Sequence, residues 1–154
     1  MRLALDQAAG AGASGDVPVG AVVLDAAGAV AGAGRNRQQA DRDPTAHAEI
    51  VAIRQAALAR QQWRLDGYTL VVTLEPCTMC AGAVIAARLG RVVYGAADPR
   101  AGAAGSLWDV LRDRRLSPHL EVIGGVLEDE CAGLLREFFG RRRQDDPAGP
   151  GGSA

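Results

Sequence analysis

Two short segments carry residues that can do chemistry together: His47-Ala48-Glu49 and Pro76-Cys77-Thr78-Met79-Cys80. The first supplies an imidazole and a carboxylate, the second two thiols at chelating spacing. A structural zinc site is closed by four protein ligands, whereas a catalytic one keeps three and leaves the fourth position to water. The candidates in this chain are Cys77, Cys80, Cys131, His47 and His119. His47, Cys77 and Cys80 make three good ligands with no obvious fourth, which favours catalysis. A metal held this way lowers the pKa of bound water to about 7. Glu49 is then the general acid/base that takes the proton and returns it to the substrate. The competing reading is a closed structural site with Cys131 or His119 as fourth ligand. A lone Cys-x-x-Cys can also be a redox pair.

The local sequence places these groups at helix starts. Asp43-Pro44 reads as a turn and Thr45 as the N-cap of a helix from about Ala46 to Gln62, with an apolar run at Ile50, Val51, Ile53, Ala57 and Leu58. His47 and Glu49 then fall in its first turn. Residues two apart do not share a helix face, so Glu49 is expected to reach the water and not the metal. Pro76-Cys77 opens a second helix, Thr78 to about Arg88, after a buried strand Tyr68–Leu74. Helix N-termini favour negative charge and lower the pKa of thiols. Two helix starts are expected to converge on one dication.

The remaining pattern supplies the frame. Met1 to about Ala13 reads as an Ala-rich helix broken at Gly15-Asp16, and Val17–Leu24 with Ala29–Gly34 as a hairpin. Arg35–Pro44 is a polar loop containing Asn36. Arg91–Ala96 is a strand, Asp98–Ser106 a glycine-rich loop leading into a short helix Leu107–Leu111, Leu120–Ile123 a last strand, and Leu127–Arg142 the closing helix. From Gln144 on, Asp, Pro, Gly and Ser dominate, so a domain at 1–143 and a disordered Gly/Pro-rich tail at 144–154 are expected. Strands alternating with helices after a hairpin predict an α/β fold, a mixed sheet with helices on both faces. Reactive groups at strand-to-helix junctions fit the rule that such sheets bind ligands beyond their strand ends.

With 154 residues the chain can build one domain with a proper core. Aromatics are only 4%, so Ala, Val and Leu must fill that core, with Trp63 and Trp108 as packing anchors. All 17 basic side chains are arginine, which reads as coding bias and not as function. A net charge of −1 means that a nucleic-acid partner would have to be met by a local patch. Three cysteines, two of them committed to metal, leave no disulfide framework and imply a reducing compartment. Asp6 interrupts the first apolar run too early for a signal peptide, and no run reaches the length of a membrane span. A cytoplasmic protein with no membrane partner is expected. Cys131 reads as a buried small hydrophobe and His119 as a surface or loop residue. Phe138 and Phe139 are adjacent and cannot both face the core. Arg141-Arg142-Arg143 alone would be a solvated helix end helped by the dipole.

His-x-Glu followed by Pro-Cys-x-x-Cys is an established signature of zinc nucleobase deaminases. The chain resembles bacterial tRNA-specific adenosine deaminases, which convert the wobble adenosine of an anticodon to inosine. The resemblance runs from about Met1 to Arg143 and rests on five stretches: Val17–Val22, Asp43–Ile50, Thr73–Ala83, Gly102–Leu107, and Asp129-Glu130-Cys131 with Phe138-Phe139. The second and third are shared with the wider cytidine-deaminase superfamily; the fourth and fifth look particular to the tRNA enzymes. The resemblance implies a three-layer α/β/α cytidine-deaminase-like fold with about five strands and one zinc per subunit on His47, Cys77 and Cys80. It makes Glu49 the catalytic proton shuttle. Asn36 lies where the family contacts the target nucleoside, and the backbone of Ala48 where the base edge is read. Asp98 and Arg100 lie on the loop that touches the anticodon backbone, and Phe138, Phe139 and Arg141 on the helix flanking the RNA loop. Expected partners are the anticodon loop of a tRNA, an arginine tRNA first, and a second copy of the chain in a homodimer. Against the family pattern the chain starts almost at its first helix, implying either a missing short leader or a start codon assigned downstream of the true one, carries arginine for the lysine usual near Arg100, and ends in an acidic, Gly/Pro-rich tail. The alternatives are a free nucleobase or nucleoside deaminase acting on guanine, cytosine or cytidine, and a zinc-stabilised RNA-binding module without chemistry.

Overall fold

The computed structural model describes residues 1–116 and 120–145. In chain order it comprises α1 (Arg2–Ala11), β1 (Gly20–Leu24), β2 (Val30–Arg35), α2 (Gln38–Asp41), α3 (Ala48–Arg60), β3 (Thr69–Leu74), α4 (Thr78–Ala86), β4 (Arg91–Ala96), β5 (Glu121–Ile123) and α5 (Glu128–Asp145). The five strands form one sheet in the order β2-β1-β3-β4-β5. β1 pairs antiparallel with both β2 and β3, while β3–β4 and β4–β5 are parallel. The expected mixed sheet of five strands is therefore present, the hairpin at one side and the crossover strands at the other.

Alternation along the strands divides the core. Ala21, Val23, Leu70, Val72 and Val92 face α3 and α4, whose Ala48, Ala52, Ala56, Ala81 and Val84 complete the larger cluster. Val22 and Val71 face the other way and pack with Ala4 of α1. The same face receives α5, whose Cys131 lies against Gly95 of β4. Cys131 is 1% exposed, as expected of a buried small hydrophobe. The layering is α/β/α.

Small residues let α3 lie on the hairpin almost backbone to backbone. A Cβ built on Gly34 would sit 2.5 Å from the Ala48 carbonyl oxygen, and one on Gly32 2.3 Å from that of Ala52. Neither neighbour is a flexible side chain, so α3 itself would have to move. Gly34→Ala is therefore expected to cost about 1–3 kcal/mol as an overpacking strain, lowering Tm by roughly 3–10 °C for a domain of this size. Thermal unfolding followed by circular dichroism checks this; an unchanged Tm would mean that α3 is free to slide on the sheet.

Several local expectations are corrected. Thr45 is not an N-cap: Asp43 Oδ1 accepts hydrogen bonds from its N–H and its hydroxyl, both at 2.7 Å, and the cap position passes to His47. The polar loop before it contains α2, whose first amides, Gln39 and Ala40, donate to the carboxylate of Asp16 at 2.6 and 3.2 Å. No helix forms at Leu107–Leu111. The amides of Leu107 and Trp108 donate to Gly102 O and that of Val110 to Ala103 O, folding the segment back on itself. Trp63 and Trp108 are 65% and 59% exposed and anchor nothing. Leu65, fully buried, occupies the core beyond α3 in place of Trp63. α5 runs through Asp145, three residues past the end expected for the closing helix at about Arg142. The rest of the expected tail, 146–154, and His119 lie outside the described residues. Among the described residues no helix is long and apolar enough to cross a membrane.

Candidate active site

α3 and α4 begin side by side, and neither start is capped by a side chain. His47 is the N-cap of α3 and Cys77 the N-cap of α4, both in extended backbone. Their side chains point toward each other instead of back onto their own helices. Cys77 Sγ lies 3.7 Å from His47 Nδ1, and Cys80 Sγ lies 3.6 Å from the same nitrogen. All three ligand atoms fall within 4.8 Å of one another, the one such His/Cys/Asp/Glu group among the described residues. Zinc bonds of about 2.3 Å to sulfur and 2.0–2.1 Å to nitrogen give a tetrahedral N···S edge of about 3.6 Å, so the spacing fits the ion. Cys131 is not in the group, which removes it as a fourth ligand.

The electrostatics suit a cation. The Cys77 thiol is drawn down to about 4, first by the hydrogen bond from Cys80, against burial, and then by that from His47. Cys80, the donor of that pair, is pushed upward. Helix N-termini add a positive field at both sulfurs. Glu49 is 4% exposed. Burial pushes its carboxyl up to about 6, against the pull of its own backbone N–H and of His47.

His47, Cys77 and Glu49 open on a cavity of about 180 Å³, lined also by Val17, Val19, Asn36, Gln38, Ala48, Leu74, Glu75, Asp98 and Ala101, with Cys80 fully buried behind them. Asn36 is 5% exposed, and its Oδ1 is buried with no hydrogen-bond partner. A buried acceptor left unpaired is costly, and Asn36 is one of the residues that line the cavity. At the uncapped start of α3 the first N–H groups have no intrahelical partner, so the backbone of Ala48 offers a donor in the same cavity.

Asp98 reaches the cavity; Arg100 follows on the exposed side, its N–H donating to Asp98 Oδ1 at 2.9 Å. The structure does not bring Phe138, Phe139 or Arg141 into this cavity. Phe138 and Arg141 line a separate groove between the end of α1 and α5, with Ala9, Gly12, Pro18 and Arg142. Phe139 is 39% exposed and meets Phe138 edge-on, ring centroids 5.3 Å apart. Arg142 lies over the Phe138 ring at 5.2 Å, and Arg141 pairs with Glu137. One segment divides cavity from groove: Val17 and Val19 line the first and Pro18 the second.

Sequence reasoning missed Glu75 and Asp16. Glu75 is 2% exposed. Burial pushes its carboxyl up, but hydrogen bonds from Ser106, Asp98 and Ala104 outweigh that and hold it below the ordinary value. The available signal was a charged residue at the end of a buried strand, beside Pro76-Cys77, with a run of small residues downstream to supply amides.

The model for the cytidine and deoxycytidylate deaminase zinc-binding region matches residues 1–96. The tRNA-specific adenosine deaminase of Haemophilus influenzae is 48% identical over 145 residues, covering 94% of this chain and 84% of that protein. A structure solved in a study of A-to-I editing by tRNA:A34 deaminases at the wobble position of transfer RNA is similar at a TM-score of 0.83 and 44% identity, over 88% of this chain and 97% of that one. Guanine deaminase from Nitrosomonas europaea is similar at a TM-score of 0.74 and 28% identity, over 88% of this chain and 80% of that one.

Proposed function

Because the chain belongs to the cytidine and deoxycytidylate deaminase zinc-binding family, and within it to the bacterial tRNA-specific adenosine deaminases, we propose a mechanism in which its two helix starts deaminate a flipped-out anticodon adenosine. The protein is a zinc-dependent enzyme that hydrolyses wobble adenosine of tRNA to inosine and ammonia. The observation that carries the mechanism is the cluster of three ligand atoms within 4.8 Å of one another, set behind a cavity that His47, Cys77, the buried Glu49 and Asn36 line. His47 Nδ1, Cys77 Sγ and Cys80 Sγ hold the zinc. When bound, zinc supplies the acidity that makes water a nucleophile at neutral pH.

Glu49 takes one proton from water as the water oxygen bonds to C6 and delivers it to N1 of the adenine; it then takes the second proton from the new C6 hydroxyl and gives it to the amine, so that the C6–N bond breaks and ammonia leaves. Asn36 Oδ1 accepts from the nucleoside, and the N–H groups opening α3 at Ala48 read the base edge. Asp98 and Arg100 hold the anticodon backbone beside the target. Phe138 and Arg141, in the neighbouring groove, and Phe139 beside them flank the loop, with stacking on aromatic rings as the contact. An unpaired loop base is cheap to extrude, which suits a cavity that must take the base out of its stack. The folded deaminase unit is taken as residues 1–143. The enzyme works as a homodimer in the cytoplasm; Leu107, Trp108 and Leu116, each at least half exposed, supply apolar surface for such a partner.

The test is inosine formation at the wobble adenosine of an arginine-tRNA transcript by zinc-loaded protein, with free guanine and cytidine alongside. Inosine in the tRNA alone is the expected result. Ammonia from guanine or cytidine with the tRNA untouched would keep the zinc chemistry and overturn the substrate.

A further inference from the structure

Glu75 stands at the end of β3, one residue before Pro76-Cys77, and its carboxylate is buried. Every hydrogen bond that it accepts comes from one downstream strap. Oε2 takes the Asp98 N–H at 3.0 Å and the Ser106 hydroxyl; Oε1 takes the N–H groups of Ala104 at 2.8 Å and Ser106 at 3.0 Å. A carboxylate has about four acceptor sites, and all four are used, so Glu75 has nothing left with which to bind metal or accept a proton from substrate. Gly102 crosses directly above it: a Cβ there would lie 2.4 Å from Glu75 Cδ. The backbone adds two ties, Ala103 N–H to Pro76 O at 2.8 Å and a bridge between Cys77 and Gly102. The carboxylate thus pins both ends of the strap, at Asp98 and at Ala104 to Ser106, and leaves Asp98 and Ala101 as a wall of the cavity.

We propose that Glu75 is a positioning residue for substrate: it holds the Asp98–Ser106 strap in the shape that binds the RNA, while taking no part in the chemical step. This rests on the deaminase reading above. A glycine- and alanine-rich segment thus brings its amides to a single buried anion.

Glu75→Gln keeps size and removes charge, turning an N–H₂ toward donors that need an acceptor. Leaving buried donors unpaired raises KM for tRNA by about tenfold or more, with kcat changed by less than about threefold and zinc still bound at wild-type stoichiometry. An activity-independent readout accompanies it: tryptic cleavage at Arg100–Ala101, followed by mass spectrometry, accelerates by about tenfold as the strap opens. Ser106→Ala, which removes one donor and leaves the buried anion, shifts both readouts in the same direction by about two- to fivefold. It also serves if the glutamine variant fails to fold. An unchanged KM and cleavage rate in either folded variant would overturn the proposal. So would loss of zinc and kcat with KM intact, which would assign Glu75 to the metal segment. Failure of the wild-type protein to make inosine would instead strike at the substrate, and the proteolysis would still judge the strap.

Discussion

Glu49→Gln lowers kcat on tRNA by about 10²–10⁴-fold, the usual contribution of a positioned acid/base, while zinc content and tRNA affinity stay near those of the wild type. The separation of effects follows from the geometry. His47, Cys77 and Cys80 form the ligand group without Glu49, so the metal does not depend on it. The carboxylate lies buried beside them on the wall of the same cavity, where it can reach a water but not bulk solvent. Glutamine fills the same volume and cannot carry the proton. Metal analysis, a gel-shift titration and single-turnover inosine formation measure the three properties separately. A variant that turned over at the wild-type rate would remove Glu49 from the mechanism, and one that lost its zinc would make it a ligand.

Stripping the metal with a chelator abolishes turnover and leaves the protein folded. His47 and Cys77 are only half-buried and Cys80 lies inside, but the main core of Leu70, Val72, Val84 and Val92 is formed without any of the three. Far-ultraviolet circular dichroism of the stripped protein is expected to match that of the loaded one, with a lower Tm because a ligand that binds only the folded state stabilises it. Re-addition of zinc restores activity. Cys80→Ala, which deletes one of three ligands, has the same loss of metal and turnover built in and is not rescued. Unfolding on chelation would instead mark a structural zinc module, and an unchanged zinc content in Cys80→Ala would place the metal on other residues.

The chemistry was legible because its signals are local. His47 and Cys77 each stand within a few residues of a proline and at the start of an Ala-rich helical run, so their placement could be read without knowing the fold. β4 was read to the residue, and β3 and β5 within one. What escaped depends on groups far apart in sequence. Asp16 organises α2 from 23 residues away, and Glu75 holds Ser106 from 31. The Leu107–Leu111 segment has helical composition, but its amides are taken by Gly102 and Ala103. Thr45 failed as a cap because Asp43, two residues earlier, captures its hydroxyl. Trp63 and Trp108 stay outside a core that alanine, valine and leucine fill, and nothing in their local sequence marks them as exposed.

The Gly34–Ala48 contact has a dynamic consequence. Between most helices and sheets lies a cushion of long side chains that can change rotamer, so one layer can drift on the other at little energetic expense. Glycine and alanine have no rotamers to lose or to exchange. Where β2 meets α3 there is no cushion, only main chain against main chain. The first residue of α3 is therefore tied to the sheet beneath it, and His47, the residue before it, is tied with it, its N–H donating to Thr45 O at 2.7 Å and its carbonyl accepting from Val51 at 3.0 Å.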